Sequence, residues 1–412
     1  MRRSGVGFVA MASALVWSGT LLTGCGGSTS SSGAPSGSNG SGGGVVASGG
    51  ATGTGSGSGG ATTLGSGGAP VASSGGAGQS GGASGKPGAS GGSTSAGSGG
   101  STPSSGGGAT GTPPSGTDPG TDGDGDFTIM PPYAGTVQAT NVPHSSKYQF
   151  QFNNGTSKVY PGTGTRPITI YIPKQYVDGT AAPFIIITDG NAPATGSPEI
   201  VTAAENHYED TDLTTRIPPQ VFVFVPPGNN RSVEYDTVSD AFSRFIDGEI
   251  LPLVQSNADI KAAFPGFKLT TDPNGRAAYG CSSGSPAAMG LGWFADFNRI
   301  VSYSGTFVAL QMTADHPLGA WEYPAMILAT MPPKPLRIFL EVGQMDNGFM
   351  TDPAMHRNWV VGNQNMAAAL KMMGYHYRFL YAMGAGHCDG SVKSKTYSQT
   401  LNWVWRGYTP AP

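Results

Sequence analysis

A segment of 101 residues, from Gly26 to Asp126, most constrains how this chain folds. It contains 38 of the 67 glycines in the 412-residue sequence, and it has no Phe, Tyr or Trp. Such a segment offers too little apolar surface to offset the conformational entropy lost on folding, so we expect a flexible coil. The folded part of the chain is therefore predicted to be Phe127–Pro412, which is long enough for a single domain with a large core.

The first 25 residues have the pattern of a lipoprotein signal peptide. Arg2 and Arg3 precede an apolar run that ends in Leu22-Thr23-Gly24-Cys25. Small residues before a cysteine suit the peptidase that cleaves there after lipid has been attached to the thiol. We therefore predict a signal peptide over residues 1–24, then a lipidated Cys25 that opens a disordered linker over residues 25–126.

Two other interpretations of this segment remain open. An ordinary signal peptide could carry a cysteine by chance, and a transmembrane helix would need a longer, uninterrupted apolar run. Gly26 follows the cysteine where an Asp would retain a Gram-negative lipoprotein in the inner membrane. The sequence thus predicts an exported cell-envelope lipoprotein, at the outer membrane or cell surface, that contacts the membrane through its lipid anchor.

Charge and cysteine content exclude several other classes of protein. The formal net charge of −3 argues against a nucleic-acid partner. After Cys25, only Cys281 and Cys388 remain, and neither lies in a CxxC or Cys/His spacing suited to zinc. We therefore predict no metal and no cofactor.

The folded part alternates short apolar runs with helical patterns. Two alternating segments come first and predict antiparallel strands, at Tyr148–Phe152 and Pro167–Ile172. Six runs typical of strands buried on both faces follow, at Phe184–Ile187, Val221–Val225, Ala277–Tyr279, Ile300–Tyr303, Ile338–Val342 and Tyr377–Tyr381. Helical patterns lie at Glu199–Tyr208, Val238–Leu251, Ser285–Phe294, Asn358–Met373 and Ser391–Trp405. The order predicts an α/β fold with a mostly parallel central sheet, helices on both faces, and a site at the carboxyl ends of the strands.

One strand end carries the pattern of a nucleophile elbow. Gly280-Cys281-Ser282-Ser283-Gly284 follows a predicted strand and precedes a predicted helix, the context that G-x-S-x-G requires. Glycines permit the sharp turn, and the helix N-terminus faces developing negative charge. An ordinary strand-to-helix turn is the alternative, and the pattern alone does not exclude it.

Two further strand ends supply partners for Ser282. Asp346 and His387 follow the predicted strands at Ile338–Val342 and Tyr377–Tyr381, giving the chain order Ser, Asp, His of α/β-hydrolases. His387 would accept the serine proton, and Asp346 would hold the imidazole in the required tautomer. Asp389 is the competing acid, but it lies too close to His387 in sequence to support the ring from the opposite side.

Backbone amides at two loops are candidates for the oxyanion hole. The residue after the nucleophile, Ser283, would give one N–H, and the loop after Phe184–Ile187 would give the other. Asn191 is preferred there over Gly190. The Asp189-Gly190 pair is also a turn signal in its own right.

From about Val159 to Tyr408 the chain resembles the esterase family of α/β-hydrolases that includes enterochelin esterase-like proteins, acetylxylan esterases and feruloyl esterases. The matching motifs are Tyr160-Pro161-Gly162-Thr163, Thr188-Asp189-Gly190, Arg231 to Thr237, Glu249-Ile250-Leu251-Pro252, Gly280 to Gly284 and Asn365 to Lys371. The resemblance implies ester hydrolysis by Ser282, Asp346 and His387. The chain departs from the family at Ser285 and Cys388, where a Gly and a Ser are more usual. Within the Arg231 to Thr237 motif, Arg231, Glu234 and Asp236 could orient an acidic substrate group, although an ion-pair network at the start of a helix is preferred.

The two remaining cysteines flank the predicted catalytic residues. Cys281 precedes Ser282 and Cys388 follows His387, so a correct triad brings both backbones together. The arrangement resembles that of tannases and related feruloyl esterases, in which a disulfide joins the nucleophile and histidine loops. We expect this bridge in an oxidising compartment, and two reduced, packed cysteines are the alternative.

These observations together favour an exported, lipid-anchored serine esterase. Its expected substrate is a carboxylic ester, on a small molecule or as the acyl or feruloyl decoration of a polysaccharide. A siderophore-ester hydrolase is the enzymatic alternative, and a non-catalytic binding module with a hydrolase fold is the other class. Trp321 and Tyr323, in the segment from Leu310 onward, hint at an aromatic lid.

Overall fold

The computed structural model describes residues 123–133, 135–190, 193 and 196–409. The predicted signal peptide, Cys25 and the linker up to residue 122 lie outside the described residues, and so does Asn191. Within the described part of the chain, no helix is long and apolar enough to span a membrane.

A nine-stranded sheet organises the described chain, and a two-stranded sheet accompanies it. In chain order the strands are β1 (Gly125–Ile129), β2 (Ser146–Asn153), β3 (Thr165–Ile172), β4 (Ala181–Ala182), β5 (Phe184–Thr188), β6 (Val221–Val225), β7 (Lys268–Leu269), β8 (Arg276–Cys281), β9 (Arg299–Tyr303), β10 (Arg337–Gly343) and β11 (His376–Ala382). The large sheet has the order β1-β11-β10-β9-β8-β5-β6-β3-β2, and β4 pairs with β7. Strands β2 and β3 are antiparallel to each other, and β3 is antiparallel to β6, whereas the other pairs of the large sheet are parallel.

Helices cover both faces of this sheet. They are α1 (Glu199–Glu205), α2 (Arg231–Tyr235), α3 (Ala241–Phe245), α4 (Leu251–Ser256), α5 (Ala258–Ala263), α6 (Gly284–Phe294), α7 (Tyr323–Leu328), α8 (Trp359–Met372) and α9 (Gly390–Trp405). One face packs against a cluster that includes α6 and α8, and the other packs against α1 and α9. The fold is that of an α/β-hydrolase, as the alternation of apolar runs and helical patterns predicts.

The central strands are uniformly buried because helices cover both of their faces. Every residue of β5, β6, β9 and β10 is buried. Continuous apolar runs, rather than alternating ones, are what such strands require. The six predicted runs correspond to β5, β6 and β8–β11, and the two initial segments form the antiparallel pair of β2 and β3.

Two details differ from the expectations. Strand β1 begins at Gly125, two residues before the predicted domain boundary at Phe127. Gly125 and Asp126 belong to the strand because their backbones pair with β11, although neither side chain is apolar. The helix predicted over Val238–Leu251 begins at Ala241 and passes through a π-helical turn at Ile246–Ile250 before α4. Gly248 lies in that turn, where its low helix propensity disfavours a regular α-helix.

Candidate active site

Ser282 lies on a strained turn between β8 and α6. Its φ of 58° is in the left-handed region, which costs a non-glycine residue of order 1 kcal/mol or more. Both flanking glycines are sterically required. A Cβ on Gly280 would lie 2.0 Å from the Gly284 carbonyl oxygen, and one on Gly284 would lie 2.1 Å from Thr188 Oγ1. The turn is therefore a nucleophile elbow in its geometry as well as in its sequence.

Ser282, His387 and Asp346 form a continuous hydrogen-bonded chain. The distance from Ser282 Oγ to His387 Nε2 is 2.9 Å, and that from His387 Nδ1 to Asp346 Oδ1 is 2.5 Å. The histidine side chain is 24% exposed and the Asp346 side chain is 0% exposed. The structure thus brings together the three predicted residues, with the imidazole accessible on one side and the carboxylate shielded from water.

Asp346 is oriented by its own loop and is placed beside another buried acid. Its Oδ1 also accepts a 2.6 Å hydrogen bond from the Asn347 N–H. Burial raises the pKa of Glu341 in β10 to about 8, and the charge of Asp346 adds to this effect. Glu341 is therefore neutral at pH 7, which limits charge repulsion against Asp346. The competing acid Asp389 instead caps α9, where its Oδ1 accepts from the Ser391 and Val392 N–H groups.

A disulfide joins the nucleophile loop to the histidine loop. Cys281 and Cys388 are bridged with a Cα separation of 6.2 Å, which lies within the usual range for disulfides. Cys388 has a φ of 51°, and its N–H donates a 2.8 Å hydrogen bond to Ser304 Oγ. Ser304 itself has a φ of 48°, in the loop after β9. The position of His387 is thus held by a covalent bond and by a hydrogen bond to a third loop.

The candidate oxyanion donors belong to the elbow itself and to the loop after β5. Ser283 precedes α6, and its N–H has no acceptor among the residues that the structure describes. Gly190 follows β5 and Asp189, whereas Asn191 lies outside the described residues. Close packing limits the position of Gly190, because a Cβ there would lie 2.5 Å from the Phe224 side chain.

An ion pair fixes the turn that precedes Gly190. Asp189 has a φ of 55°, and its carboxylate accepts two 2.6 Å hydrogen bonds from Arg231 Nε and Nη2. Its N–H donates to the buried Tyr235 hydroxyl at 3.2 Å. Bidentate pairs of this kind restrict orientation as well as distance. Arg231 therefore stabilises the loop on which the second oxyanion donor was predicted.

Glu234 in α2 and Asp236 directly after it are both buried. Glu234 forms a buried ion pair with Arg166, with a distance of 2.6 Å between Oε2 and Nη1. Asp236 is 1% exposed, and burial raises its pKa to about 6 against the opposing effect of the nearby Ser283 hydroxyl. The structure thus shows ion pairs for Arg231 and Glu234, whereas Asp236 forms no ion pair with the residues that the structure describes.

Two residues at the site were missed at the sequence level. Thr306 Oγ1 lies 3.5 Å from Ser282 Oγ and accepts a 3.2 Å hydrogen bond from Trp359 Nε1. The Trp359 ring lies edge to face with His387, with 6.2 Å between ring centroids. Thr306 follows β9, so inspecting every strand end would have identified it. Trp359 begins α8, and no local pattern marks it.

The hint of an aromatic lid is wrong for one of its two residues. Tyr323 is 1% exposed and packs against Trp293 and Phe307 in the core. Trp321 is half-buried and contacts His356 with 4.9 Å between ring centroids. Among the described residues, no group of three or more His, Cys, Asp or Glu side chains is arranged to hold a metal ion.

One family model matches this chain, and several solved structures are similar to it. The family described as "Putative esterase" matches residues 163–400, which is more than half of the chain. Three solved structures are similar in fold. The BES protein from Bacillus cereus is 19% identical, with 66% of this chain and 100% of that chain covered and a TM-score of 0.45. The enterobactin esterase FES from Shigella flexneri is 18% identical, with 64% and 60% covered and a TM-score of 0.45. A ferulic acid esterase is 18% identical, with 64% and 98% covered and a TM-score of 0.43.

A search of curated proteins returned no significant match. The family match covers the elbow and every loop that contributes to the hydrogen-bonded chain from Ser282 to Asp346. The chain belongs to the "Putative esterase" family and is an ester hydrolase with the α/β-hydrolase fold.

Proposed function

We propose that this chain is a serine esterase that hydrolyses carboxylic esters through Ser282, His387 and Asp346. The observation that carries the proposal is the unbroken hydrogen-bonded chain of these three side chains on a strained elbow. A binding module would need neither the left-handed serine nor the buried carboxylate behind the histidine. The arrangement therefore favours an enzyme over a non-catalytic module.

The proposed reaction proceeds through an acyl-enzyme. Ser282 Oγ attacks the ester carbonyl carbon while His387 Nε2 accepts its proton, and Asp346 stabilises the resulting imidazolium. The Ser283 N–H, with a second N–H from the loop after β5, stabilises the oxyanion. His387 then returns the proton to the leaving alcohol. Water repeats the sequence on the acyl-enzyme, which releases the acid and restores the serine.

The proposed substrates are acyl or feruloyl esters on polysaccharides. The His387 side chain is partly exposed, and the loops that follow β9 and β10 carry exposed apolar side chains at Met312, Met345, Phe349, Met350 and Met355. A histidine that is accessible from one side suits an aromatic or acyl group attached to a large polymer. The similar solved structures include a ferulic acid esterase and an enterobactin esterase. The substrates to be assayed therefore include a feruloyl ester and a siderophore ester.

A panel of esters tests this proposal. Full-length protein and a Ser282→Ala variant should be assayed with p-nitrophenyl acetate and longer acyl chains, methyl ferulate, acetylated xylan and a catecholate siderophore ester. We expect turnover of the acetyl or feruloyl substrates by the wild type only. Turnover of the siderophore ester alone would show that the substrate is not a polysaccharide ester. Absence of turnover with every ester would contradict the proposal that the chain is a serine esterase.

We also propose that the chain is exported and anchored by lipid at Cys25, within a cell-envelope lipoprotein. The run ending in Leu22-Thr23-Gly24-Cys25 supports this. Detergent-phase partitioning of wild type and Cys25→Ser checks the anchor, because only the wild type should enter the detergent phase. Equal partitioning of the two would remove this proposal.

A further inference from the structure

The loop after β9 is hydrogen-bonded directly to the backbone of the elbow. The Ser282 N–H donates a 3.0 Å hydrogen bond to the Tyr303 carbonyl, and the Thr306 N–H donates a 3.2 Å hydrogen bond to the Ser282 carbonyl. The side-chain amide of Asn363 in α8 donates to the Gly305 carbonyl at 2.8 Å. Thr306, which is 0% exposed, is therefore held in a fixed position relative to the nucleophile.

The side chain of Thr306 lies beside the Ser282 hydroxyl, and the directions of the hydrogen bonds around it follow by elimination. Trp359 Nε1 can only donate, so Thr306 Oγ1 accepts the 3.2 Å hydrogen bond between them. With His387 Nδ1 donating to Asp346, the single hydroxyl hydrogen of Ser282 is donated to His387 Nε2. The Thr306 hydroxyl is left to donate to Ser282 Oγ, its one acceptor within the part of the chain that the structure describes. One directed chain thus runs from the Trp359 indole through the two hydroxyls to the imidazole.

The length of the contact between the two hydroxyls indicates when it acts. The 3.5 Å from Thr306 Oγ1 to Ser282 Oγ exceeds the distance of about 2.7–2.8 Å that is typical of O–H···O hydrogen bonds, so the contact is weak in the resting enzyme. Contacts of this kind shorten and strengthen when charge develops on the acceptor. Because Thr306 is buried and already oriented, little reorganisation is needed at that moment. The hydroxyl is therefore preorganised for a charged serine oxygen rather than for a neutral one.

The serine oxygen gains charge when it leaves the acyl group. In the acyl-enzyme, Ser282 Oγ is an ester oxygen and a poor acceptor. Water attacks the acyl carbon while His387 Nε2 takes a proton from it, and the bond from that carbon to Oγ then breaks with its electron pair passing to Oγ. His387 returns the proton to Oγ, so Thr306 stabilises the departing oxygen without transferring a proton. A hydrogen bond that strengthens only in this transition state accelerates the step.

We propose that Thr306 is a further catalytic residue, whose hydroxyl stabilises Ser282 Oγ as it departs in deacylation. Trp359 is a positioning residue, because it orients the Thr306 hydroxyl and packs edge to face with the His387 ring without contacting the reacting oxygen. The role rests on the proposed serine esterase and goes beyond it, since neither the triad nor the oxyanion hole requires these two residues. In acylation the hydroxyl already faces the free serine, so it assists attack less than departure.

Stopped-flow hydrolysis of p-nitrophenyl acetate by the full chain separates the two steps. Acylation releases p-nitrophenol in a burst, and the good leaving group makes this step fast, so the steady rate reports deacylation. We expect Thr306→Val to retain most of the burst rate and to lose about tenfold or more in the steady rate, as expected for one hydrogen bond to a developing charge. Thr306→Ser keeps the hydroxyl and should restore most of the steady rate.

Thr400→Val is the matched control. Thr400 lies in α9, is 1% exposed, and has its hydroxyl 3.0 Å from the Tyr303 hydroxyl rather than beside the nucleophile. This variant loses the same group from an equally buried position, so both phases should match the wild type. Trp359→Phe is a second test variant, because it removes the Nε1 donor and keeps a ring beside His387. Its steady rate should fall by a smaller factor than that of Thr306→Val.

Two results with Thr306→Val would overturn the proposed role. Equal losses in the burst and in the steady rate would show that Thr306 only supports the elbow, and wild-type rates in both phases would show that its hydroxyl does nothing. Should this variant fail to fold, a wild-type steady rate in Trp359→Phe, or a tenfold loss in Thr306→Ser, would overturn the role instead. All of these outcomes leave the wild-type esterase active. A wild type that hydrolyses no ester and takes up no fluorophosphonate would contradict the proposed function itself, and the role of Thr306 with it.

Discussion

Removal of the bridge between Cys281 and Cys388 should lower stability and activity together. The two cysteines are 107 positions apart. For a loop of that size, a chain-entropy model gives the bridge about 4–5 kcal/mol of stabilisation, which strain in the native state reduces. The hydrogen bond from the Cys388 N–H to Ser304 remains in the reduced protein, so the histidine loop loosens rather than detaches.

Urea unfolding with and without dithiothreitol measures the loss in the free energy of unfolding. Hydrolysis of p-nitrophenyl acetate measures the loss of activity. Cys388→Ser should match the reduced wild type in both. Adding Cys281→Ala to Cys388→Ser should cost little more stability, because the bridge is already absent. Cys388 has a positive φ, so Cys388→Gly should recover some stability without restoring the bridge.

Three results would contradict this reasoning. Two free thiols in the oxidised and unfolded catalytic domain would show that the cysteines are not bridged. A stability loss below about 1 kcal/mol on reduction would show that the loop-closure argument does not apply here. Loss of stability with full activity would separate the bridge from the position of His387.

Two further predictions concern packing and pH. Gly284→Ala should lower the free energy of unfolding by about 1–3 kcal/mol and remove most activity, because the added Cβ would lie 2.1 Å from Thr188 Oγ1. Gly290→Ala in the same helix should be tolerated, because the nearest atom to its Cβ is 3.7 Å away. Equal effects of the two changes in urea unfolding would contradict this prediction. Glu341 keeps its proton up to about pH 8 in the folded state but loses it near pH 4.5 in the unfolded state. Its contribution to stability is therefore fully present below pH 4.5. Between pH 4.5 and pH 8 the free energy of unfolding falls by up to about 1.4 kcal/mol per pH unit. Glu341→Gln should flatten the stability curve over that range, and parallel curves for the two proteins would refute the buried neutral acid.

The fold was predictable because its strands are buried on both faces and carry continuous apolar runs. The six runs from Phe184 to Tyr381 all became strands for that reason. The first two residues of strand β1 were not predictable, since Gly125 and Asp126 continue the composition of the linker and join the strand through their pairing with β11. The π-helical turn at Ile246–Ile250 was not predicted either, because the segment has a helical pattern of apolar residues in which only Gly248 locally disfavours a regular α-helix.

The site was predictable to the extent that it follows from strand ends. Ser282, Asp346 and His387 each follow a strand, and their order along the chain is the order found in α/β-hydrolases. Thr306 follows β9, so the same rule would have identified it. Trp359 and the pairing of Asp189 with Arg231 were not predictable, because they depend on how α8 and α2 pack against the loops. Asn191 stays a prediction, as it lies outside the described residues.

Covalent labelling of the nucleophile tests the central claim most directly. A fluorophosphonate that reacts with activated serines should be incubated with the full-length wild type and with Ser282→Ala, followed by mass spectrometry of the digested protein. We predict one adduct per wild-type chain, on the peptide that contains Ser282, with loss of esterase activity in proportion to labelling. The folded Ser282→Ala variant should remain unlabelled and inactive. An adduct on another serine, or ester turnover by that variant, would contradict the assignment of Ser282 as the nucleophile.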